Sequence, residues 1–157
     1  MFRLFGRAIR LTARDPARVL LLVRMATWVV ILSALVRVLT LPRALQVVAT
    51  DVRNKSTSDI KPKDLSSAID ALLGLDMFMF KPKCWKRATI LHRYLALNGI
   101  ATSIVFGLRK EEGELKGHAW LQSEGRPILE SEPPLYKVTY TFPSADSFDT
   151  ELAVMGD

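Results

Sequence analysis

The sequence has few of the residues that form disulfides or bind metals. It contains one cysteine, Cys84, and two histidines, His92 and His118, in 157 residues. A single cysteine cannot form an internal disulfide, which favours a reducing compartment such as the cytosol. No second Cys or His stands at a metal-ligand spacing from Cys84, so we expect neither a metal nor a cofactor.

Acidic residues are scarce in the first part of the chain. Residues 1–60 carry ten Arg and Lys against three Asp and Glu, a net charge of +7, whereas residues 61–157 carry twelve against thirteen, a net charge of −1. The excess of positive charge therefore favours an N-terminal attachment surface for an acidic partner or anionic lipid. A nucleic-acid partner is not expected. An apolar content of 49% excludes disorder, and 24% charged residues exclude a wholly membrane-embedded protein.

The longest apolar stretch, residues 19–42, is interrupted by Arg24 and Arg37, which leave twelve uncharged residues between them. A spanning helix needs about 20 apolar residues. Spanning, lying on a membrane surface and packing on a protein all stay open for this stretch, and residues 1–18 resemble a basic amphipathic helix. We predict three regions: a helical region at 1–49 for partner docking or membrane association, a linker at 50–64 and a folded domain at 65–157.

The folded domain is predicted to be α+β. A helix begins at Cys84, places Cys84, Ala88, Leu91 and Leu95 on one face, and ends at Asn98-Gly99. Strands follow, as read from alternation and turn residues, at 101–110, 113–122, 126–132 and 135–142. This order predicts helices on one side of a small antiparallel sheet.

The cysteine and one histidine are candidates for chemistry. Cys84 heads its helix, where free backbone N–H groups and the helix dipole favour a thiolate. His92 lies eight residues further along the same helix, about 12 Å away, so it cannot serve Cys84 and is interpreted as structural or a surface residue. His118 shares a strand face with Trp120.

The pairing of the second and third strands selects a carboxylate for His118. A three-residue turn at 123–125, with Gly125 in the left-handed conformation, would place His118 opposite Glu130. A two-residue turn would place Ser131 there instead. The resulting hypothesis has Cys84 as nucleophile, His118 as base and then acid, and Glu130 orienting the ring. On the pattern alone, a buried cysteine at Cys84 and a structural sheet histidine at His118 are favoured over this catalytic set.

Several short motifs resemble one family. They are Cys84-x-x-Arg87, the apolar helix ending Asn98-Gly99-Ile100-Ala101, the segment 106–110, and Gly117-His118-Ala119-Trp120-Leu121 with Gly125-Arg126-Pro127. Over about residues 60–135 the chain resembles the transglutaminase-like leader peptidases of lasso-peptide biosynthesis, the B proteins in their stand-alone peptidase form. The hydrophobic, arginine-rich N-terminal region is also similar to that family's.

The resemblance implies a papain-like, transglutaminase-type fold in which a Cys–His–Asp triad hydrolyses one peptide bond. That bond joins the leader to the core of a ribosomally made precursor. The implied partners are the precursor peptide, a protein carrying a leader-recognition element, and an asparagine-synthetase-like cyclase that closes a macrolactam on the freed amine. The implied location is the cytoplasm, with membrane association through residues 1–42 left open.

Cys84 and His118 match the family nucleophile and base, whereas the third position departs from the family. This chain has Glu130 where the family has Asp, and Glu132 is the alternative. The backbone N–H of Cys84 is the expected first oxyanion donor, and Trp120 is expected to wall the pocket and contact substrate. Two other functions stay open: acyl transfer to an amine by a transglutaminase-type enzyme, and a non-catalytic, membrane-associated scaffold.

Overall fold

The structure, a computed structural model, describes residues 16–50, 52, 61–74, 84–130 and 132–143. In this part of the chain four helices precede four strands. The helices are α1 (Pro16–Val38), α2 (Leu41–Val48), α3 (Pro62–Leu73) and α4 (Cys84–Leu97), and the strands are β1 (Ser103–Glu111), β2 (Glu114–Ser123), β3 (Arg126–Ile128) and β4 (Lys137–Phe142). The strands form one antiparallel sheet in the order β3-β2-β1-β4. The predicted α+β class is confirmed.

Helix α1 buries one face and exposes the other. Its buried residues recur at helical spacing, namely Met25, Val29, Leu32 and Ser33. This face packs on α2, α3 and α4, while Leu20, Val23 and Val38 are each more than half exposed. Among the described residues, α1 is the helix long and apolar enough to cross a membrane, and 22% of its most apolar window is buried. Its length and composition fit a membrane anchor and a core helix alike.

Prolines begin two of the helices. The apolar helix that the sequence extends to residue 42 ends at Val38, and Pro42 stands in the first turn of α2 instead. Pro62 likewise opens α3, because the first N–H groups of a helix have no partner within it. Helix α3 thus begins inside the region predicted as linker. The rest of that region is mostly outside the described residues, as are residues 1–15, so the three-part division stays a prediction.

Helix α4 is the centre of the core. It packs on β1, β2 and α3, and its Leu91 and Leu95 are fully buried with Ile104 and Leu121 of the sheet. The helix ends where it was predicted to end: the side-chain amide of Asn98 donates to the Tyr94 carbonyl, and the next residue is a glycine with a φ of 79°. The burial of its inner face fixes the position of its first turn against the sheet.

Both hairpins have two-residue turns. Glu112-Gly113 joins β1 to β2, Glu124-Gly125 joins β2 to β3, and all four residues have positive φ. Two positive φ angles define the type I′ turn, whose twist matches that of the flanking strands. The predicted three-residue turn is therefore wrong. Ser123 pairs with Arg126, because Glu124 adopts the left-handed conformation that the prediction gave to Gly125 alone.

Candidate active site

A cavity of about 540 Å³ lies where α3, the start of α4 and the β2–β3 edge of the sheet meet. Helix α3 lines it with Lys63, Ser66, Ser67 and Asp70. Helix α4 contributes Cys84 and Arg87. The sheet and the segment after it contribute His118, Ala119, Leu129 and Glu130. The cavity therefore brings together the three side chains that the sequence selected.

Cys84 is the first residue of α4 and is partly buried. The first backbone N–H groups of a helix have no partner within it, and they carry the positive end of the helix dipole. Such a position stabilises negative charge on an oxyanion next to the start of the helix. The packing of α4 on the sheet keeps this end of the helix at the cavity.

His118 lies on β2 with 28% of its side chain exposed, and its Nε2 is 3.1 Å from Glu130 Oε2. A carboxylate only accepts hydrogen bonds, so Nε2 is the donor in this pair, and in a neutral ring Nδ1 is the nitrogen with the lone pair. The ring also stacks on Trp120, at a centroid distance of 6.0 Å, and lies tilted against Tyr136 at 5.3 Å. These contacts fix the ring plane and leave Nδ1 as the atom able to accept a proton.

Glu130 reaches His118 by a route that the sequence did not predict. The observed register pairs Leu121 with Ile128, and its continuation would place residue 131 opposite His118. However, β3 ends at Ile128 and Leu129 has a φ of 58°, so the chain leaves the ladder before Glu130. The predicted His118–Glu130 pair is present, and the predicted strand pairing behind it is wrong. Glu132, the alternative, is exposed.

Arg87 joins this pair to helix α3. Its Nε donates to Asp70 Oδ1 at 2.7 Å, and its Nη2 donates to Ser66 Oγ at 2.8 Å and to the Leu129 carbonyl at 2.9 Å. Its Nη1 donates to Glu130 Oε1 at 3.1 Å. The sequence included Arg87 in a motif without assigning it a contact, because its partners lie 17 to 43 residues away.

Trp120 supports His118 from behind and does not line the cavity. Its side chain is on the same strand face as His118, as predicted, but only 2% of the residue is exposed. It occupies space that Gly107 leaves free: a Cβ on Gly107 would lie 2.9 Å from the Trp120 ring and 2.7 Å from Tyr136 Cβ. The expectation that Trp120 forms a wall of the pocket is thus corrected, since burial keeps the ring from a ligand in the cavity.

His92 is structural, as predicted. It is 7% exposed, its Nδ1 lies 2.9 Å from Thr102 Oγ1, and its ring contacts Phe142 edge-on. Burial lowers the pKa of His92 to about 4, and a hydrogen bond with Thr102 opposes part of this shift. The ring is therefore neutral at pH 7. Across the described residues, no three Cys, His, Asp or Glu side chains are grouped closely enough to hold a metal ion.

These features define a class of protein. A thiol at the start of a helix shares a cavity with a sheet histidine that a carboxylate orients, which is the arrangement of cysteine-dependent hydrolases and acyl transferases. The chain belongs to the transglutaminase-like superfamily, whose family model matches residues 28–142. This superfamily includes cysteine peptidases and acyltransferases. Neither the curated proteins nor the solved structures contain a match to the chain.

Proposed function

We propose that this chain is a cysteine peptidase that removes the leader peptide from a ribosomally made lasso-peptide precursor. The observation that carries the proposal is the hydrogen bond from His118 to Glu130 in the cavity that Cys84 also lines. Membership of a superfamily that includes cysteine peptidases supports the reaction class. The substrate is supported by the resemblance of the Cys84 and His118 motifs to those of the stand-alone leader peptidases.

The first half of the proposed reaction forms an acyl-enzyme. His118 Nδ1 takes the proton of the Cys84 thiol, and the resulting thiolate attacks the carbonyl carbon of the scissile bond. The backbone N–H of Cys84 donates to the oxyanion. The C–N bond then breaks as His118 Nδ1 gives its proton to the leaving nitrogen, which becomes the free amine of the core peptide. Glu130 accepts from Nε2 throughout and stabilises the imidazolium.

The second half releases the leader. His118 Nδ1 takes a proton from water, the water oxygen attacks the thioester carbon, and the C–S bond breaks to return the Cys84 thiolate. The products are a leader with a free carboxyl group and a core with a free amine. An amine that attacked the thioester instead of water would give a new amide, which is the acyl-transfer alternative.

The same proposal assigns partners. A recognition-element protein delivers the leader, and an asparagine-synthetase-like cyclase consumes the freed amine. The outer face of α1 is the proposed attachment surface: Leu20, Val23 and Val30 are exposed apolar residues of this helix, and Arg24 and Arg37 are exposed as well. Apolar area with exposed arginines suits the surface of an anionic membrane on the cytoplasmic side. The inner face of α1 is meanwhile occupied by its packing on α2, α3 and α4.

Leader release tests the function directly. The genes next to this one are expected to encode a short precursor, a recognition protein and a cyclase. The purified full-length chain, mixed with that precursor and recognition protein, should yield two peptides by mass spectrometry, and anionic vesicles should increase the yield if α1 binds membranes. Cys84→Ala should lower the rate by on the order of 10⁴-fold or more, because no nucleophile remains.

Each alternative gives a different result. A crosslinked product in place of two peptides would mean acyl transfer. Cleavage that persists in purified Cys84→Ala would exclude the proposed mechanism. A non-catalytic scaffold predicts that Cys84 reacts with iodoacetamide at pH 6 no faster than an ordinary thiol, which has a pKa of about 8.5 and is almost wholly protonated there.

A further inference from the structure

We propose that Arg87 is a positioning residue that holds Glu130 in the orientation in which its carboxylate serves His118. The inference rests on the proposed function in taking His118 and Glu130 as the working pair. It goes further because it assigns a role to a residue that does not touch the substrate. It also makes helix α3 part of the support of the site.

The guanidinium is itself fixed on two sides. Asp70 and Ser66 of α3 accept from Nε and Nη2, and the Leu129 carbonyl accepts from Nη2 on the opposite side. Side-chain exposure is 23% for Arg87, so the group is largely shielded from water. A planar guanidinium bonded at several points has one orientation available. Arg87 can therefore hold the orientation of a side chain that bonds it.

Glu130 lies outside regular structure. It follows Leu129 beyond the end of the strand ladder, and several rotatable bonds join its carboxylate to the backbone. Its two oxygens are divided between two donors: Oε1 accepts from Arg87 Nη1 and Oε2 accepts from His118 Nε2, each at 3.1 Å. Because Arg87 holds Oε1, the carboxylate cannot rotate away from the imidazole without losing an ion pair.

The charge of Arg87 and its geometry predict different results for the variants. The positive charge acts on His118 through Glu130, and on Cys84 across the cavity that Arg87 and Cys84 both line. A lysine keeps this charge, so a purely electrostatic role predicts that Arg87→Lys behaves as the wild type. If Arg87 positions Glu130, loss of its planar fork lets the carboxylate leave Nε2, and the reaction of Cys84 slows. The His118 tautomer and the Arg87→Lys variant therefore separate a positioning role from an electrostatic one.

The experiment follows the two histidine rings in the full-length protein labelled with ¹⁵N-histidine. Long-range ¹H–¹⁵N spectra identify which ring nitrogen carries the proton, and His118→Ala assigns the signals. The variants are Arg87→Gln, which removes the charge, and Arg87→Lys, which keeps the charge without the planar fork. Arg93→Lys is the matched control, because Arg93 lies on the same helix but stacks on Trp28 and donates to the Val48 carbonyl.

The wild type and Arg93→Lys should both show His118 with its proton on Nε2. In Arg87→Gln the His118 shifts should move to values averaged between the two tautomers, and alkylation of Cys84 by iodoacetamide should slow by about ten- to a hundredfold. Arg87→Lys should fall between the two. Full wild-type behaviour in Arg87→Lys, or a faster alkylation in Arg87→Gln, would overturn the positioning role.

Two further measurements separate a loss of positioning from a folding defect and from effects that bypass Glu130. Circular dichroism and thermal unfolding establish that each variant is folded, and Arg87→Lys carries the test if Arg87→Gln is not. In the double variant Arg87→Gln/Glu130→Gln, alkylation should be no slower than in Glu130→Gln alone, because Arg87 acts through Glu130. Spectra and alkylation need no precursor peptide. Absence of leader release by the wild type would thus contradict the proposed function. The histidine spectra and the alkylation rates would still decide whether Arg87 positions Glu130.

Discussion

An arginine of helix α4 and a nearby histidine occur in two places, in opposite surroundings. At the start of the helix, Arg87 bonds carboxylates of α3 and of the segment after β3, beside a cavity and a partly exposed histidine of β2. Towards its other end, Arg93 lies over the Trp28 ring at 3.8 Å, and His92 is buried against a threonine hydroxyl. One arginine and one histidine thus occur in both places.

The difference between the two ends lies in the partners. The carboxylate next to His118 accepts a hydrogen bond from its ring, which is the contact that the proposed reaction needs. A hydroxyl next to His92 offers no charge, and burial lowers the pKa of His92 to about 4, so that ring stays neutral. Composition alone therefore does not distinguish a chemical histidine from a packing one. The distinction comes from which element packs against each side chain.

Among the tests of this difference, replacement of the Glu130 carboxylate should have the largest effect, and the quantity it changes is the rate of leader release. In Glu130→Gln, Arg87 Nη1 still donates, so the amide oxygen turns towards Arg87 and the amide N–H₂ turns towards His118. Nε2 must then accept, the proton moves to Nδ1, and the ring cannot act as base. Leader release should fall by about 10² to 10⁴-fold, measured as kcat with the precursor.

Glu132→Gln is the matched control for this variant. The residue is exposed and lies two positions further along the chain. Its kcat should remain within about twofold of the wild type, since exposed substitutions away from special contacts have small effects. Equal losses in the two variants, or a loss in Glu132→Gln alone, would assign the carboxylate to Glu132 and break the contrast between the two histidines.

Local patterns predicted the elements of the fold and the members of the pair. Apolar spacing predicted α4 at Cys84–Leu97 to within one residue, because a helix with one buried face has apolar residues at a helical period in its sequence. Alternation and turn residues predicted the first hairpin, and the fold class followed from the order of the elements. Cys84, His118 and Glu130 were selected from the sequence and meet in one cavity.

Features that depend on distant contacts or on backbone detail were not predictable. The type I′ turn at Glu124-Gly125 needs a glutamate with positive φ, and Leu129 needs the same, although neither residue type favours it. These two departures cancel: the first shifts the register away from Glu130, and the second brings Glu130 back. The contacts of Arg87 and the burial of Trp120 also depend on elements far away in the sequence.

Gly107 tests whether the aromatic rings behind His118 hold it in place. Gly107, the β1 partner of His118, is a point of close approach in the sheet. In Gly107→Ala the new methyl group would press on Trp120 and Tyr136, the two rings that pack on His118. We expect a loss of about 1–3 kcal/mol in unfolding free energy from denaturant melts, and a fall of about tenfold in kcat.

Gly117→Ala is the control for the methyl group itself. Its new Cβ would lie 3.5 Å from Leu108 Cδ2, an ordinary contact with the end of a flexible side chain. Stability should change by less than about 0.5 kcal/mol. If Gly107→Ala is as well tolerated as Gly117→Ala, the rings behind His118 do not constrain it, and the support assigned to Trp120 fails.

The smallest expected effect is on the pH dependence of stability, and it comes from the other end of the helix. The pKa of His92 is about 4 in the folded protein and about 6.5 when unfolded, so the unfolded chain binds more protons between these values. The stabilisation from neutral His92 is present above pH 6.5 and is lost as the pH falls towards 4. Between pH 7 and pH 5 this loss amounts to about 2 kcal/mol.

His92→Gln isolates that contribution. Glutamine can still bond Thr102 but does not titrate, so the unfolding free energy of the variant should fall less steeply from pH 7 to pH 5 than that of the wild type. Subtracting the two curves removes the carboxylates, which titrate in both proteins. A difference that stays constant with pH would show that His92 is not held neutral by burial. In that case burial would not distinguish the protonation of His92 from that of His118, and the hydrogen bond to Glu130 would be the remaining difference between the two rings.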